Sequence, residues 1–171
     1  QDFVFLLKKI SLASHGKQLV LKSPPNTARI KLLLSLFPDA KFILIHRNPY
    51  EVYASNKRFW KVTRNIYALG RSRSVDPNSM ILDTYAETMP RYFREKDQIP
   101  QGQLMELAYE DFIKNPVANM RAAYETLQLN EFSYCEDKMK SFAKSQKQFK
   151  VLDHQLSPDE KKIVSEKLEL I

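Results

Sequence analysis

The sequence predicts a mixed α/β domain built on a parallel sheet, and three observations predict it. Phe42–Ile45 is an unbroken apolar run of the kind that a parallel strand covered on both faces needs. Chain breakers bracket that run, Pro38-Asp39 before it and Asn48-Pro49 after it. Segments with helical apolar spacing alternate with short apolar runs along the chain, the order that gives a parallel sheet with right-handed crossovers.

The elements follow in order. Phe3, Leu6, Leu7 and Ile10 make an i, i+3, i+4, i+7 stripe, so a helix opens the chain. Gly16-Lys17 turns, and Gln18–Leu21, ending at Lys22, reads as a short buried strand. Ser23-Pro24-Pro25 breaks the chain, and Asn26 or Thr27 can cap a helix whose inner face is Ile30, Leu33, Leu34 and Phe37. Lys41–His46 is the second strand, with Arg47 at its C-terminal end. Asn48 as N-cap and Pro49 as first helical residue predict a helix to about Thr63. Arg64 to Asn78 is polar and basic, with Gly70, Arg71, Arg73 and Pro77, and reads as a surface loop.

Leu82, Tyr85, Ala86, Met89, Tyr92 and Phe93 then recur at helical spacing, with a kink expected at Pro90. Leu104–Tyr109 is a third strand despite Glu106. Asn115-Pro116 opens a helix with Val117, Met120, Tyr124 and Leu127 inside. Ser157-Pro158-Asp159-Glu160 is a capping box with proline at the first helical position, followed by Ile163, Val164, Leu168 and Ile171. No repeat, low-complexity run or linker interrupts the chain, which reads as one domain of residues 1–171 entered partway, since a helix begins at once after Gln1.

Composition narrows the function classes. The longest apolar stretches, Leu32–Phe37 and Phe42–Ile45, are far below the roughly 20 residues of a membrane span. Cys135 is the one cysteine, so neither an internal disulfide nor a cysteine-rich zinc site is possible, and a reducing compartment, the cytoplasm, is expected. The net charge of +7 favours anionic partners: nucleotide phosphates, a sulfated glycan, nucleic acid or a membrane surface.

Ligands of open parallel sheets bind beyond the C-terminal strand ends, which points to Lys22 and Arg47. At Arg47-Asn48-Pro49 a forked guanidinium stands beside the free N–H groups and positive dipole end of a helix, a combination suited to a phosphate. Ser55 lies about two turns into that helix on the face of Asn48 and Val52, so its hydroxyl could reach the same anion. The competing reading is that Arg47 caps a neighbouring carboxylate and Ser55 is an ordinary helix-surface residue.

Lys22-Ser23-Pro24-Pro25-Asn26, Phe37-Pro38-Asp39-Ala40-Lys41-Phe42 and His46-Arg47-Asn48-Pro49 with Ser55 together resemble the sulfotransferase family that uses 3′-phosphoadenosine 5′-phosphosulfate (PAPS), in its broad bacterial-type branch. Tyr109-Glu110-Asp111-Phe112 with Asn115-Pro116 resembles that family's later strand-to-helix segment, and Leu156-Ser157-Pro158 its closing helix. The likeness covers nearly the whole chain. It implies a P-loop-like three-layer fold with a parallel central sheet, incomplete at the N-terminus. The missing part is the strand-loop-helix that cradles the 5′-phosphosulfate, because Gly16, Gly70 and Gly102 are the only glycines and form no such loop.

By the resemblance, the protein moves a sulfonate from PAPS to an acceptor hydroxyl or amine on a small molecule or glycan, with no metal and no nucleic acid involved. Arg47 and Ser55 match the pair that binds the 3′-phosphate, Tyr109 a position near the adenine, and Lys22 a lysine near the transferred sulfonate. Asn26 stands where many members carry histidine, which leaves the base open; His46, beside Arg47, is a candidate. His15 and His154 fall in loops and receive no role, and Lys144, Lys147 and Lys150 could close over the 3′-phosphate.

A second class of function competes. Lys57, Arg58, Lys61, Arg64, Arg71 and Arg73 form a stretch without an acidic residue between Glu51 and Asp76, which would suit a non-catalytic module binding nucleic acid or glycosaminoglycan. A phosphoryl-transfer kinase fits less well, because neither a GKS/T loop nor an acidic magnesium cluster is present in the sequence.

Overall fold

A computed structural model of the chain describes residues 1–67, 76–130, 132–146 and 155–169. Gly70, Arg71, Arg73, Lys147, Lys150, His154 and Ile171 lie outside the described residues. In chain order the elements are α1 (Asp2–Ala13), α2 (Ile30–Leu36), β1 (Phe42–His46), α3 (Pro49–Tyr67), α4 (Pro77–Glu95), β2 (Leu104–Ala108), α5 (Tyr109–Lys114), α6 (Pro116–Thr126), α7 (Ser133–Ser145) and α8 (Pro158–Leu168). No helix among the described residues is long and apolar enough to cross a membrane.

The sheet is parallel, as expected, but its second member differs. β1 pairs with β2, Phe42 opposite Leu104 and His46 opposite Ala108, whereas Gln18–Leu21 forms no strand. A strand needs a paired backbone and apolar cover; Gln18–Leu21 has no ladder partner among the described residues, and Val20 is 92% exposed. The start of α2 also departs from the expectation. Pro24 and Pro25, with φ fixed by their rings, open a 3-10 turn over Pro24–Ala28, so neither Asn26 nor Thr27 is left to cap; Arg29 precedes Ile30 without a side-chain cap.

Two packed clusters hold the elements. Ile30, Tyr92 and Ile99 bury Phe42, Leu44 and Leu104, so α2 and α4 cover one face of the sheet. On the opposite face Leu107 is buried and α6 touches β2. The expected cover on both faces therefore holds at β2 but not at β1, where Ile43 and Ile45 are 44% and 52% exposed. The second cluster, Tyr53, Ile81 and Val164 with Tyr50, Trp60 and Leu156, binds α3, α4 and α8 together.

Polar ties reinforce both clusters. Ser157 and Glu160 form the capping box that opens α8: the Ser157 N–H donates to Glu160 Oε2 at 2.9 Å and the Glu160 N–H to Ser157 Oγ at 3.2 Å. The Glu160 carboxylate also pairs with Lys57 on α3, and Lys167 reaches Asp83 on α4 at 2.7 Å. α4 runs through Pro90 and starts at Pro77 behind Asp76, whose carboxylate accepts from the Asn78 and Ser79 N–H groups. In the polar segment after Leu127, α7 forms against α6, with Phe132 buried and Glu136 bridging Arg121 at 2.6 Å and Lys140 at 2.9 Å.

Glu106 fits a strand because its charge is satisfied. It accepts the Tyr92 hydroxyl at 2.7 Å and lies 3.3 Å from Lys96 Nζ. The Tyr92 bond first, and Lys96 with it, hold the Glu106 carboxyl below its ordinary value, while burial and that bond push the Tyr92 phenol well above its own. Glu160 is likewise held low, by Lys57 first. A carboxyl with a depressed folded-state pKa contributes stability in full above its unfolded pKa and loses it as pH falls through the folded value. The urea midpoint should therefore drop on acidification below about pH 4, the range of unfolded carboxylates, and a Glu106→Gln, Glu160→Gln protein should show a shallower acid limb. An unchanged limb would contradict these assignments.

Candidate functional site

The site follows from the register. Because His46 pairs with Ala108, the next residues, Arg47 and Tyr109, emerge side by side from the C-terminal ends of parallel strands. The Arg47 guanidinium lies over the Tyr109 ring, with Cζ 4.6 Å from the ring centre. Its Nη2 donates to Glu51 Oε2 at 3.2 Å, one turn into α3. The Nε is buried and has no hydrogen-bond partner among the described residues.

The start of α3 completes the cradle. Asn48 caps it, its Oδ1 accepting the Tyr50 N–H at 2.9 Å, and the Asn48 N–H donates to Glu110 Oε1 at 3.4 Å. Glu110 belongs to the first turn of α5, so two helix starts face each other across the strand ends. Ser55 is half-buried on the same face of α3 as Asn48, about 10 Å further along the axis at 1.5 Å per residue. No hydrogen bond among the described residues joins Ser55 to Arg47.

Arg47 makes the carboxylate contact of the competing reading, with Glu51. It pairs through one nitrogen, and it keeps a second, desolvated donor without a partner among the described residues. Leaving such a donor unpaired costs about 1–3 kcal/mol, and an anion seated against Nε, near the N-terminus of a 19-residue helix, would remove that cost. The donor set fits a phosphate group. Among the described residues no group of three His, Cys, Asp or Glu could hold a metal ion.

The other candidates make no hydrogen bond or ion pair with Arg47 among the described residues. Lys22 is exposed in the irregular segment after α1. His46 is exposed at the end of β1, on the face it shares with Leu44 and Glu106, and its charge is among the influences that hold the Glu106 carboxyl low. Lys144 is exposed in the last turn of α7. Glu51 and Glu110 were missed by sequence reasoning, although Glu51 sits at the i+4 spacing from Arg47 that joins side chains on a helix. Nothing local signals Glu110, since only the register brings it to Asn48.

A parallel sheet with an arginine at one strand end and a capped helix start beside it defines the class of the fold, an α/β protein with its candidate site at the strand C-termini. The profile of the Sulfotransferase family matches residues 4–133, and the chain belongs to that family. It is 30% identical over 150 residues to the omega-hydroxy-beta-dihydromenaquinone-9 sulfotransferase Stf3 of Mycobacterium bovis and of Mycobacterium tuberculosis, which takes in 88% of this chain and 39% of each relative. The chain thus spans about two-fifths of the length of these relatives.

Solved structures share the fold. Sulfotransferase STF9 from Mycobacterium avium superimposes with a TM-score of 0.71 at 21% identity, over 91% of this chain and 42% of that one. The sulfotransferase domain from the curacin biosynthetic pathway superimposes with a TM-score of 0.58 at 18% identity, over 94% and 66%. The fold is accordingly the P-loop-like α/β fold of these sulfotransferases.

Replacing Arg47 with alanine should weaken the binding of a phosphate monoester by about 1.5–3 kcal/mol, the scale of a hydrogen bond to a charged group. Calorimetry checks this, and unchanged affinity would put the anion elsewhere.

Proposed function

We propose that this chain carries the 3′-phosphate half of a PAPS site in an enzyme that transfers sulfonate to an acceptor hydroxyl or amine. The observation that supports the reading best is the buried, unpartnered Arg47 Nε beside the start of α3, in a chain of the Sulfotransferase family. PAPS, when bound, supplies the sulfonate. Arg47 takes the 3′-phosphate, Ser55 adds a hydroxyl donor from the same helix face, and Tyr109 borders the adenosine end.

In the reaction the acceptor oxygen or nitrogen forms a bond to sulfur while the bond from sulfur to the 5′-phosphate oxygen breaks, leaving 3′,5′-bisphosphoadenosine, and the acceptor proton passes to a base. Such transfers depend on in-line positioning and on stabilising charge spread over the oxygens. Lys22 is our candidate for a cation near the sulfonate and His46 for the base. The name of Stf3 describes a hydroxylated acceptor, and a hydroxyl is the acceptor group we favour.

The remaining donors for the 5′-phosphosulfate we assign to a Gly-rich strand-loop-helix outside residues 1–171. We place the protein in the cytoplasm, in keeping with its single cysteine. The rival polyanion-binding surface is weakened because Lys57, its first residue, is engaged by Glu160.

Two measurements test the proposal. The protein should prefer 3′,5′-bisphosphoadenosine to AMP by at least about tenfold, one charge-assisted contact's worth; equal affinity with steep salt dependence would instead indicate a polyanion surface. Residues 1–171 alone should bind nucleotide weakly and transfer no measurable sulfonate, since losing one preorganised donor typically costs on the order of 10²–10³ in rate. Turnover should return when a Gly-rich strand-loop-helix is joined to them, and robust turnover without it would relocate the catalytic centre.

A further inference from the structure

We propose that Tyr109 is a positioning residue that acts through Arg47: its ring, together with the Glu51 carboxylate, holds the guanidinium so that Nε stays turned to the anion. This inference rests on the reading of Arg47 as the 3′-phosphate ligand and assigns that site its support.

An arginine side chain has many rotamers, and orienting one for a specific hydrogen bond requires contacts that reject the others. Arg47 has contacts on two sides. The Tyr109 ring lies against the guanidinium plane, 4.6 Å from Cζ to the ring centre, where the ring's negative face attracts the cation. Arg47 Nη2 donates to Glu51 Oε2 at 3.2 Å. What these contacts leave over is the buried Nε, with no partner of its own among the described residues.

The placement of the ring is not a matter of side-chain choice alone. Tyr109 is the first residue of α5, directly after β2, and the pairing of His46 with Ala108 sets it beside Arg47. No hydrogen bond of the Tyr109 hydroxyl occurs among the described residues, so the ring face makes the contact. The adjacent Glu110 is occupied with the Asn48 N–H at 3.4 Å.

The test separates action through Arg47 from direct contact with the base. Tyr109→Leu, Tyr109→Met and Tyr109→Phe proteins, checked for an unchanged melting temperature, would be titrated by calorimetry with 3′,5′-bisphosphoadenosine and with base-free ribose 3,5-bisphosphate. Leucine and methionine should each weaken both ligands alike, by about threefold to tenfold, the scale of a cation–π contact, and phenylalanine should rescue both. In an Arg47→Ala background the Tyr109→Leu change should have no further effect on either ligand. A loss confined to the base-bearing ligand, a loss that phenylalanine does not rescue, or a loss that persists without Arg47 would each overturn this inference alone. Unchanged binding in Arg47→Ala itself would overturn the 3′-phosphate reading and the inference with it.

Discussion

The parallel pairing of β1 with β2 is the constraint from which the site is built. Parallel strands end on the same edge of a sheet, so the residues that follow them meet there. With His46 opposite Ala108, Arg47 and Tyr109 become neighbours, and the helices that start after them, α3 and α5, point their first turns at each other. An antiparallel pair would send Tyr109 to the far edge, and Arg47 would keep only Glu51. The rest of the molecule serves this edge indirectly. α2 and α4 pack under the sheet through Ile30, Tyr92 and Ile99, and α8 holds α3 through Val164 and the Lys57–Glu160 pair.

Charge is handled differently on the sheet and beyond it. Glu106 lies within β2 with its side chain exposed to solvent, and its carboxylate is engaged by Tyr92 and Lys96, so the charge carries little burial penalty there. At the strand ends the balance is left incomplete. Glu51 and Glu110 neutralise one arginine nitrogen and one backbone N–H, yet Arg47 Nε has no partner among the described residues. An unsatisfied buried donor is rare in folded proteins because it is destabilising. Its position at a strand C-terminus beside a helix start is the edge of an α/β sheet where ligands generally bind, and the chain belongs to the Sulfotransferase family, which is why we propose a nucleotide phosphate there.

Features fixed by a few neighbouring residues were legible in the sequence. The capping box at Ser157 and Glu160 and the Asn48-Pro49 start of α3 depend on contacts within a turn, and β1 is marked by its apolar run, although only its alternate residues Phe42 and Leu44 pack against the core. Features that depend on distant partners were not. Gln18–Leu21 has the composition of a strand but no ladder partner among the described residues, while Leu104–Ala108, which carries a glutamate, is a strand because β1 pairs with it. α7 carries a weakly apolar face and is held to α6 by Phe132 and the Arg121–Glu136 pair. At the site, Arg47 and Ser55 could be singled out from spacing, and Tyr109 from the family resemblance. The ring under the guanidinium and Glu110 on the Asn48 N–H follow only from the register of two strands some sixty residues apart.

The central claim is that the C-terminal edge of this sheet seats a nucleotide phosphate on Arg47. A crystal structure of the protein with 3′,5′-bisphosphoadenosine tests it most directly. The account predicts the 3′-phosphate within hydrogen-bond distance of Arg47 Nε and Ser55 Oγ, with the guanidinium still lying on Tyr109. A 3′-phosphate bound away from the strand ends, with Arg47 Nε still unpartnered, would contradict it.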